Sequence, residues 1–309
     1  MTGNADRFAD MTMYHHVDVF ADAAYTGNSL AVFLDPPPLD GGQMLRITQE
    51  LRHFETIFVT TLGEPDTVQA RVFDLFGELD FAGHPVLGAA GVLHEVRGQG
   101  ANCEWTFALP ARTVQVTTRL ADGHLSGVLD QGEPELIAPS GTLEPEPIAA
   151  SLGLDAADLD PDLPPQIVST GLRYLIAPVR AGALARAGIV RSDFGDFLGR
   201  LGAQFAYLLD AAAMEGRHWN NDGVMEDVAT GSAAGCVAGY LLRHRRLADG
   251  VAAWLAQGRF TGRASRIAIT AYGTPDAVSR VTVGGAVTVV GTGTLRTLPA
   301  GELRTGDRP

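Results

Sequence analysis

Arg217-His-Trp-Asn-Asn-Asp-Gly-Val-Met-Glu226-Asp227-Val-Ala-Thr-Gly231-Ser232, with the apolar run Ala233-Ala-Gly-Cys-Val-Ala-Gly-Tyr-Leu-Leu242 behind it, is the stretch on which the fold turns. A similar unit stands earlier: Arg71-Val-Phe-Asp-Leu-Phe-Gly-Glu-Leu-Asp80-Phe-Ala-Gly-His84-Pro85, then Val86-Leu-Gly-Ala-Ala-Gly-Val-Leu93. Laid with Asp80 over Asp227, Ala82-Gly-His-Pro85 falls on Ala229-Thr-Gly-Ser232. Each copy leads from an arginine-plus-aromatic strand through an acidic turn to a glycine-containing helix start. A helix start carries free N–H groups and the positive end of a dipole, so it attracts a carboxylate or phosphate. Two such starts in two homologous halves predict one small anion held between them.

Outward from these units the pattern is strand-rich. Strands are expected at 14–20, 30–34, 55–60 and 69–76, with a helix over 43–52 whose Met44, Ile47 and Leu51 share a face. Val86–Val96 and Ala233–Leu242 are apolar nearly all round, as buried helices are. Further strands are expected at 104–108, 113–117 and 125–129, then a Pro/Glu/Gly-rich linker over 131–147. Short helices at 148–152, 156–159 and 181–187, a helix over 193–201, and strands at 167–170, 174–179, 206–209 and 216–219 follow. The chain closes with strands at 266–272, 278–283 and 286–290. The first ten residues and the segment after Leu298 read as loose tails. No glycine fingerprint follows a strand and no regular strand–helix alternation occurs, so a dinucleotide-binding sheet is excluded. A small mixed sheet around a central helix, built twice, fits better.

Composition narrows the function. The 309 residues are 46% hydrophobic and 19% charged, enough for two ordinary domains with sizeable cores. A formal net charge of −13 argues against nucleic acid as a partner, since neutralising phosphates needs clustered Lys and Arg. It does not exclude a small anion held by local backbone donors. The two cysteines, Cys103 and Cys236, form no metal or disulfide pattern. No signal peptide is evident and no apolar run reaches membrane-spanning length, so a cytoplasmic protein is expected.

Two constellations carry chemistry: Phe54-Glu55-Thr56 with Gly83-His84-Pro85, and Glu226-Asp227 with Thr230-Gly231-Ser232. Carboxylates and an imidazole around one site suffice for general acid/base work near neutral pH. Taken singly, His84, Asp227 and Ser232 read first as helix caps. Capping alone, however, does not call for two similar loops bearing different polar residues. Glu55 heads an apolar strand and is either solvent-facing or a partly desolvated base; periodicity does not choose. His15 and His16 are neighbours on a strand and point to opposite faces, so one metal site cannot use both. Arg243-His-Arg-Arg246 complements a helix C-terminus. Gln257-Gly-Arg-Phe-Thr-Gly-Arg263 is basic and Gly-punctuated but lacks phosphate-loop spacing.

Gly27-Asn28-Ser-Leu-Ala-Val-Phe33, Glu55-Thr56, Asp80-Phe-Ala-Gly-His84-Pro85 and Glu226-Asp227-Val-Ala-Thr-Gly-Ser-Ala-Ala-Gly235 together resemble the PhzF family of phenazine-biosynthesis-like isomerases, which shares its fold with diaminopimelate epimerase. The resemblance spans about residues 14–296. It implies an α+β fold of two similar domains, each a mixed sheet curled around a central apolar helix, with the active site in the interdomain cleft. The boundaries expected are 12–130, completed by 286–298, and 131–285. It implies Glu55 as the proton-transferring acid/base, His84 and Asp227 as its partners, and Gly83, Gly231 and Ser232 as a carboxylate cradle. Asn28, Pro85 and Thr230 join them as substrate-binding residues. No cofactor and no metal are implied, and a small carboxylate substrate and a second copy of the chain, as a homodimer, are the expected partners. Where related epimerases carry two cysteines, the matching positions here are Ala82 and Ala229. Three departures stand out: Phe54 beside the glutamate, Val228 after Asp227, and Ser29 after Asn28.

The sequence is therefore read as a cofactor-independent isomerase that shifts a double bond in a small, amino-acid-derived carboxylate of secondary metabolism. The alternatives are inversion at a carbon alpha to a carboxylate, which needs a second base on the opposite face, and a binding protein that kept the cleft without the reaction.

Overall fold

The structure is a computed structural model that describes residues 11–301; the first ten residues and 302–309, parts of the expected tails, lie outside the described residues. Residues Pro299 and Ala300 are held, their carbonyls accepting from Gln43 and Arg46. The first half of the chain runs β1 (Thr12–Val19), β2 (Asn28–Leu34), α1 (Gly41–Leu51), β3 (Glu55–Leu62), β4 (Glu64–Asp74), β5 (Glu78–Leu79), α2 (Gly83–Arg97), β6 (Asn102–Ala108), β7 (Thr113–Ala121), β8 (His124–Gly132) and β9 (Glu135–Ile137). The second runs α3 (Pro145–Ser151), β10 (Gln166–Ser169), β11 (Arg173–Pro178), α4 (Phe194–Leu201), β12 (Phe205–Asp210), β13 (Glu215–Trp219), β14 (Glu226–Asp227), α5 (Gly231–Arg243), β15 (Ala253–Gln257), β16 (Ser265–Thr274) and β17 (Ala277–Leu295).

All 17 strands belong to one hydrogen-bonded sheet, which curls twice. In the first curl, β1 pairs β2, β2 lies parallel to β3, β3 pairs β4, β4 lies parallel to β6, and β7 and β8 follow antiparallel. The last part of β17 bridges β8 back to β1 and closes the ring. The second curl repeats the order: β10 pairs β11, β11 lies parallel to β12, β12 pairs β13, β13 lies parallel to β15, and β16 and the first part of β17 follow. Strands that alternate, such as β7, bury every second side chain, as one solvated face requires.

Each curl wraps one helix. Every residue from Gly83 to His94 and from Gly231 to Leu242 is buried, which is why neither helix shows a polar stripe. Val86, Leu87, Ala90 and Leu93 of α2 share one core with Ala233, Val237 and Leu241 of α5. Burial of this kind is worth about 25 cal/mol per Å² of apolar surface, so the sheet and the two helices stabilise one another. The helix α1 is different: it is amphipathic, capped by Asp40 through a reciprocal bond pair with Gln43, and lies on the sheet's outside.

Four expectations need correction. The linker over 131–147 contains β9, which pairs with β10, and the first turn of α3. No helix forms over 181–187; Gly182 sits at φ +84° and the segment is a series of turns. The strand β15 was not anticipated. The strands at 278–283 and 286–290 are one strand, β17: a Cβ on Gly284 would lie 2.6 Å from the Gly127 carbonyl oxygen, so the glycine pair marks close strand approach rather than a break. No helix among the described residues is long and apolar enough to cross a membrane.

Candidate active site

The two buried helices meet start to start. A Cβ on Gly83 would lie 3.2 Å from the Gly231 carbonyl carbon, and one on Gly231 3.3 Å from the His84 nitrogen, so glycine is what permits the approach. Their N-cap residues, Ala82 and Thr230, make no side-chain capping bond. The first-turn N–H groups are thus left for whatever enters the adjoining cavity, and the two dipoles reinforce one another there. Single-residue capping by His84, Asp227 or Ser232 is not what the structure shows.

The strand registers correct the overlay of the two loops. In one unit the Arg71 Nε donates to Glu78 at 2.7 Å; in the other the Arg217 Nε donates to Glu226 at 2.9 Å. From Glu78 to Gly83 and from Glu226 to Gly231 is the same span, which sets His84 on Ser232 and Leu79, not Asp80, on Asp227. Cross-strand pairs agree: Val72 faces Leu79 as His218 faces Asp227. Asp80 is exposed, whereas Asp227 is 3% exposed.

The cavity, of about 80 Å³, is walled by Glu55, His84, Asp227, Tyr174, His218 and Ser232 and by the apolar Phe54, Leu79, Phe81, Leu172 and Phe205. Glu55, 8% exposed, is the partly desolvated carboxyl and not the solvent-facing one. Its Oε2 lies 3.3 Å from His84 Nδ1. Burial above all, then the charges of Asp227 and Asp74, hold its pKa well above 4.5. Burial pushes the His84 imidazole down to about 4 against the pull of Asp227, so it is neutral at pH 7. Among the described residues neither Glu55 Oε2 nor His84 Nε2 has a hydrogen-bond partner. Buried orphans of this sort cost about 1–3 kcal/mol each and are the atoms a ligand would satisfy.

Asp227 is a hub. Asn28 Nδ2 donates to its Oδ1 at 2.8 Å and to the Ala229 carbonyl at 3.0 Å, and the Thr230 hydroxyl donates to its Oδ2 at 2.6 Å. Gln257 donates to the Asp227 carbonyl oxygen at 2.8 Å and accepts from the Thr230 N–H at 3.1 Å. On the far side the Tyr174 and Ser232 hydroxyls are 2.8 Å apart, and Gln131 donates to the Gly231 carbonyl. Burial chiefly raises the Tyr174 phenol, which stays protonated.

Of the residues expected at the site, Glu55, His84, Asp227, Gly83, Thr230, Gly231 and Ser232 line the cavity. Asn28 stands behind Asp227, and Pro85 is buried in the first turn of α2. Tyr174, His218, Gln131 and Gln257 were not expected at the site; His218 and Gln257 stand in quoted stretches, but no role attached to either. The basic stretch 257–263 is a strut: Arg259 pairs with Glu215, and Arg263 with Asp18 and the Gly27 carbonyl. His16 meets Ser29 and His53, apart from His15. Cys236 is packed inside α5 with its thiol pushed up to about 12 by burial, and Cys103 lies half-buried on β6. No group of three or more His, Cys, Asp or Glu among the described residues is placed to hold a metal.

The same four strand registers, read across both curls, give matched positions. Leu30 pairs Glu55 in parallel where Tyr174 pairs Phe205. Leu30 therefore matches Tyr174, Glu55 matches Phe205, Val72 matches His218 and Leu79 matches Asp227.

Comparison with known proteins agrees with this architecture. The family described as "Phenazine biosynthesis-like protein" matches residues 17–293. The trans-2,3-dihydro-3-hydroxyanthranilate isomerase of Pseudomonas aeruginosa is 31% identical over 294 residues, covering 89% of this chain and 96% of that protein. Among solved structures, a predicted epimerase of Pseudomonas aeruginosa is 43% identical, with a TM-score of 0.86 over 93% of this chain and 99% of that one. A hydroxyproline epimerase from Agrobacterium vitis shares the fold at 13% identity, with a TM-score of 0.64 over 94% of this chain and 93% of that one.

Proposed function

The chain belongs to the phenazine biosynthesis-like protein family and is an isomerase, and on that premise we propose that it moves a double bond within a small amino-acid-derived carboxylate, with Glu55 taking and returning the proton. One observation carries the proposal: of the two buried carboxyls in the cavity, Asp227 is held by Asn28 and Thr230, whereas Glu55 Oε2 has no hydrogen-bond partner among the described residues and has Phe205 at the matching place in the other curl. A single proton carrier suits transfer between two carbons on one face. Two-base inversion asks for a second carrier opposite the first.

The other groups then take definite parts. The substrate carboxylate lies at the Gly83 and Gly231 helix starts beside the Ser232 hydroxyl. Their fixed donors meet charge that grows as the proton leaves a conjugated carbon, and fixed donors need no reorganisation. A carboxyl whose pKa is raised toward neutrality exchanges a proton with carbon more readily than an ordinary one. His84, whose Nδ1 lies 3.3 Å from Glu55 Oε2, stands beside the proton carrier and offers Nε2 to the ligand. Asp227, aimed by Asn28 and Thr230, accepts from a polar substituent of the substrate. The proton carrier and the cradle are both groups of the chain, so the proposal needs no cofactor. It treats residues 12–130 with 286–298, and 131–285, as two epimerase-like domains with the site in the cleft between them.

The test is Glu55→Gln, assayed on trans-2,3-dihydro-3-hydroxyanthranilate, the compound in the relative's name, and on related dihydro acids. The amide keeps shape and polarity but carries no proton, so kcat falls by roughly 10² to 10⁴ with an unchanged circular dichroism spectrum. Turnover within about threefold of the wild type would remove Glu55 from this role.

A further inference from the structure

His218 is buried, at 4% exposure, in the wall of the cavity. Its Nδ1 donates to the Ala206 carbonyl oxygen at 2.9 Å, which fixes the neutral tautomer with an unprotonated Nε2. Burial pushes its pKa down, against the opposing pull of Asp227, so the ring stays neutral. Tyr174 and Phe205 meet the imidazole edge-on, at centroid distances of 5.5 and 5.6 Å, and hold its plane. Among the described residues no group pairs with Nε2.

The matched position in the first curl is Val72, fully buried and apolar. The fold itself therefore does not ask for an imidazole there. A neutral ring nitrogen without a protein partner, in the wall of a cavity, is an acceptor open to a donor that enters. Phe205, which the ring touches, matches Glu55, so His218 belongs to the curl opposite the one that carries the proton carrier.

We infer that His218 contacts the substrate in this chain, its Nε2 accepting a hydrogen bond from an O–H or N–H substituent of the bound carboxylate. The assignment rests on the carboxylate-isomerase proposal above. It adds the substrate's donor group and the residue that selects for it.

Equilibrium binding by titration calorimetry tests this with three probes: benzoate, anthranilate and 3-hydroxybenzoate. The wild type should prefer at least one donor-bearing acid over benzoate by about fivefold to tenfold, the worth of one neutral hydrogen bond. His218→Phe, which keeps a planar ring, should bring that preference to within about twofold. Should the variant fold poorly, the wild type labelled with ¹⁵N-histidine answers the same question. The His218 Nε2 resonance should move with the donor-bearing acid and stay with benzoate. An intact preference in the variant, or an Nε2 signal indifferent to the acids, would overturn the role of His218 alone. Binding of none of the three acids to the wild type would overturn the carboxylate site, and His218's role with it.

Discussion

At the head of β3 stands Glu55; at the head of β12, in the same register beside the same kind of parallel neighbour, stands Phe205. Leu30 faces Tyr174 in this correspondence, Val72 faces His218, and Leu79 faces Asp227. The Arg71–Glu78 and Arg217–Glu226 pairs, which shape the loops, are kept in both curls. The ion pairs and the Gly83 and Gly231 helix starts are thus repeated, and the side chains that meet the cavity are not. The first curl supplies Glu55, the proposed proton carrier, and the His84 imidazole beside it. The second supplies acceptors and hydroxyls. A symmetric scaffold makes an asymmetric site by placing an apolar residue opposite Glu55, Tyr174, His218 and Asp227, and two different polar residues, His84 and Ser232, at the matched helix starts.

The widest expected gap is between the two matched positions themselves. Glu55→Gln should lower kcat by roughly 10² to 10⁴, while Phe205→Leu should cost less than about tenfold, by loosening one apolar wall. Equal losses would mean that position, not chemistry, is what the pair shares. Next is Asp227→Asn. The amide presents a donor to either the Asn28 amide or the Thr230 hydroxyl, both of which now donate to the carboxylate. A loss of about 1–3 kcal/mol in urea unfolding is expected, as for a buried donor left unpaired. Leu79→Asn, at the matching place, should not couple to Asn28 at all.

The pH dependence of stability separates Glu55 from His84. His84 has a folded-state pKa of about 4, below its ordinary 6.5, so only the unfolded chain takes its proton between those values. Its contribution is present above pH 6.5 and is lost as pH falls toward 4, by about 3 kcal/mol in all. Glu55 runs the other way. Its folded pKa is raised, so the folded chain holds the proton longer and stability declines as pH rises above 4.5. Unfolding curves of Glu55→Gln and His84→Gln against pH should flatten these opposite slopes, one each. If His84→Gln leaves the acid limb unchanged, some other group sets it. The smallest effect belongs to the thiols. Cys236→Ala should cost about 1 kcal/mol as a small core truncation, and Cys103→Ser/Cys236→Ala should turn over within about twofold of the wild type. Loss of turnover in that folded double variant would bring a thiol into the mechanism.

The buried helices were legible because a run such as Val86–Leu93, apolar on every side, has no place but the interior. The glutamate, the histidine and the second aspartate were legible through their loops. The register between the loops was not. Asp80 stands two residues after Glu78 whereas Asp227 stands one after Glu226, so matching the aspartates put the helix starts one residue out. Only the hydrogen-bond ladder counts that residue. Tyr174, His218 and Gln257 sit singly on strands, and a strand sequence does not say which face meets a cavity formed by a distant part of the chain. Had the strands been aligned as pairs, His218 opposite Val72 would have been the visible signal.

The central claim is that one carboxyl on one face carries the proton, and turnover in D₂O followed by NMR tests it most directly. With a dihydro acid such as trans-2,3-dihydro-3-hydroxyanthranilate, the account predicts a product with its double bond moved and at most one deuterium, at the carbon that receives the proton. That label should be on the face the proton left, and Glu55→Gln should give none of it. Deuterium at the carbon alpha to the carboxylate, with configuration inverted and the double bond unmoved, would contradict the account and require a second carrier in the curl that now offers Phe205.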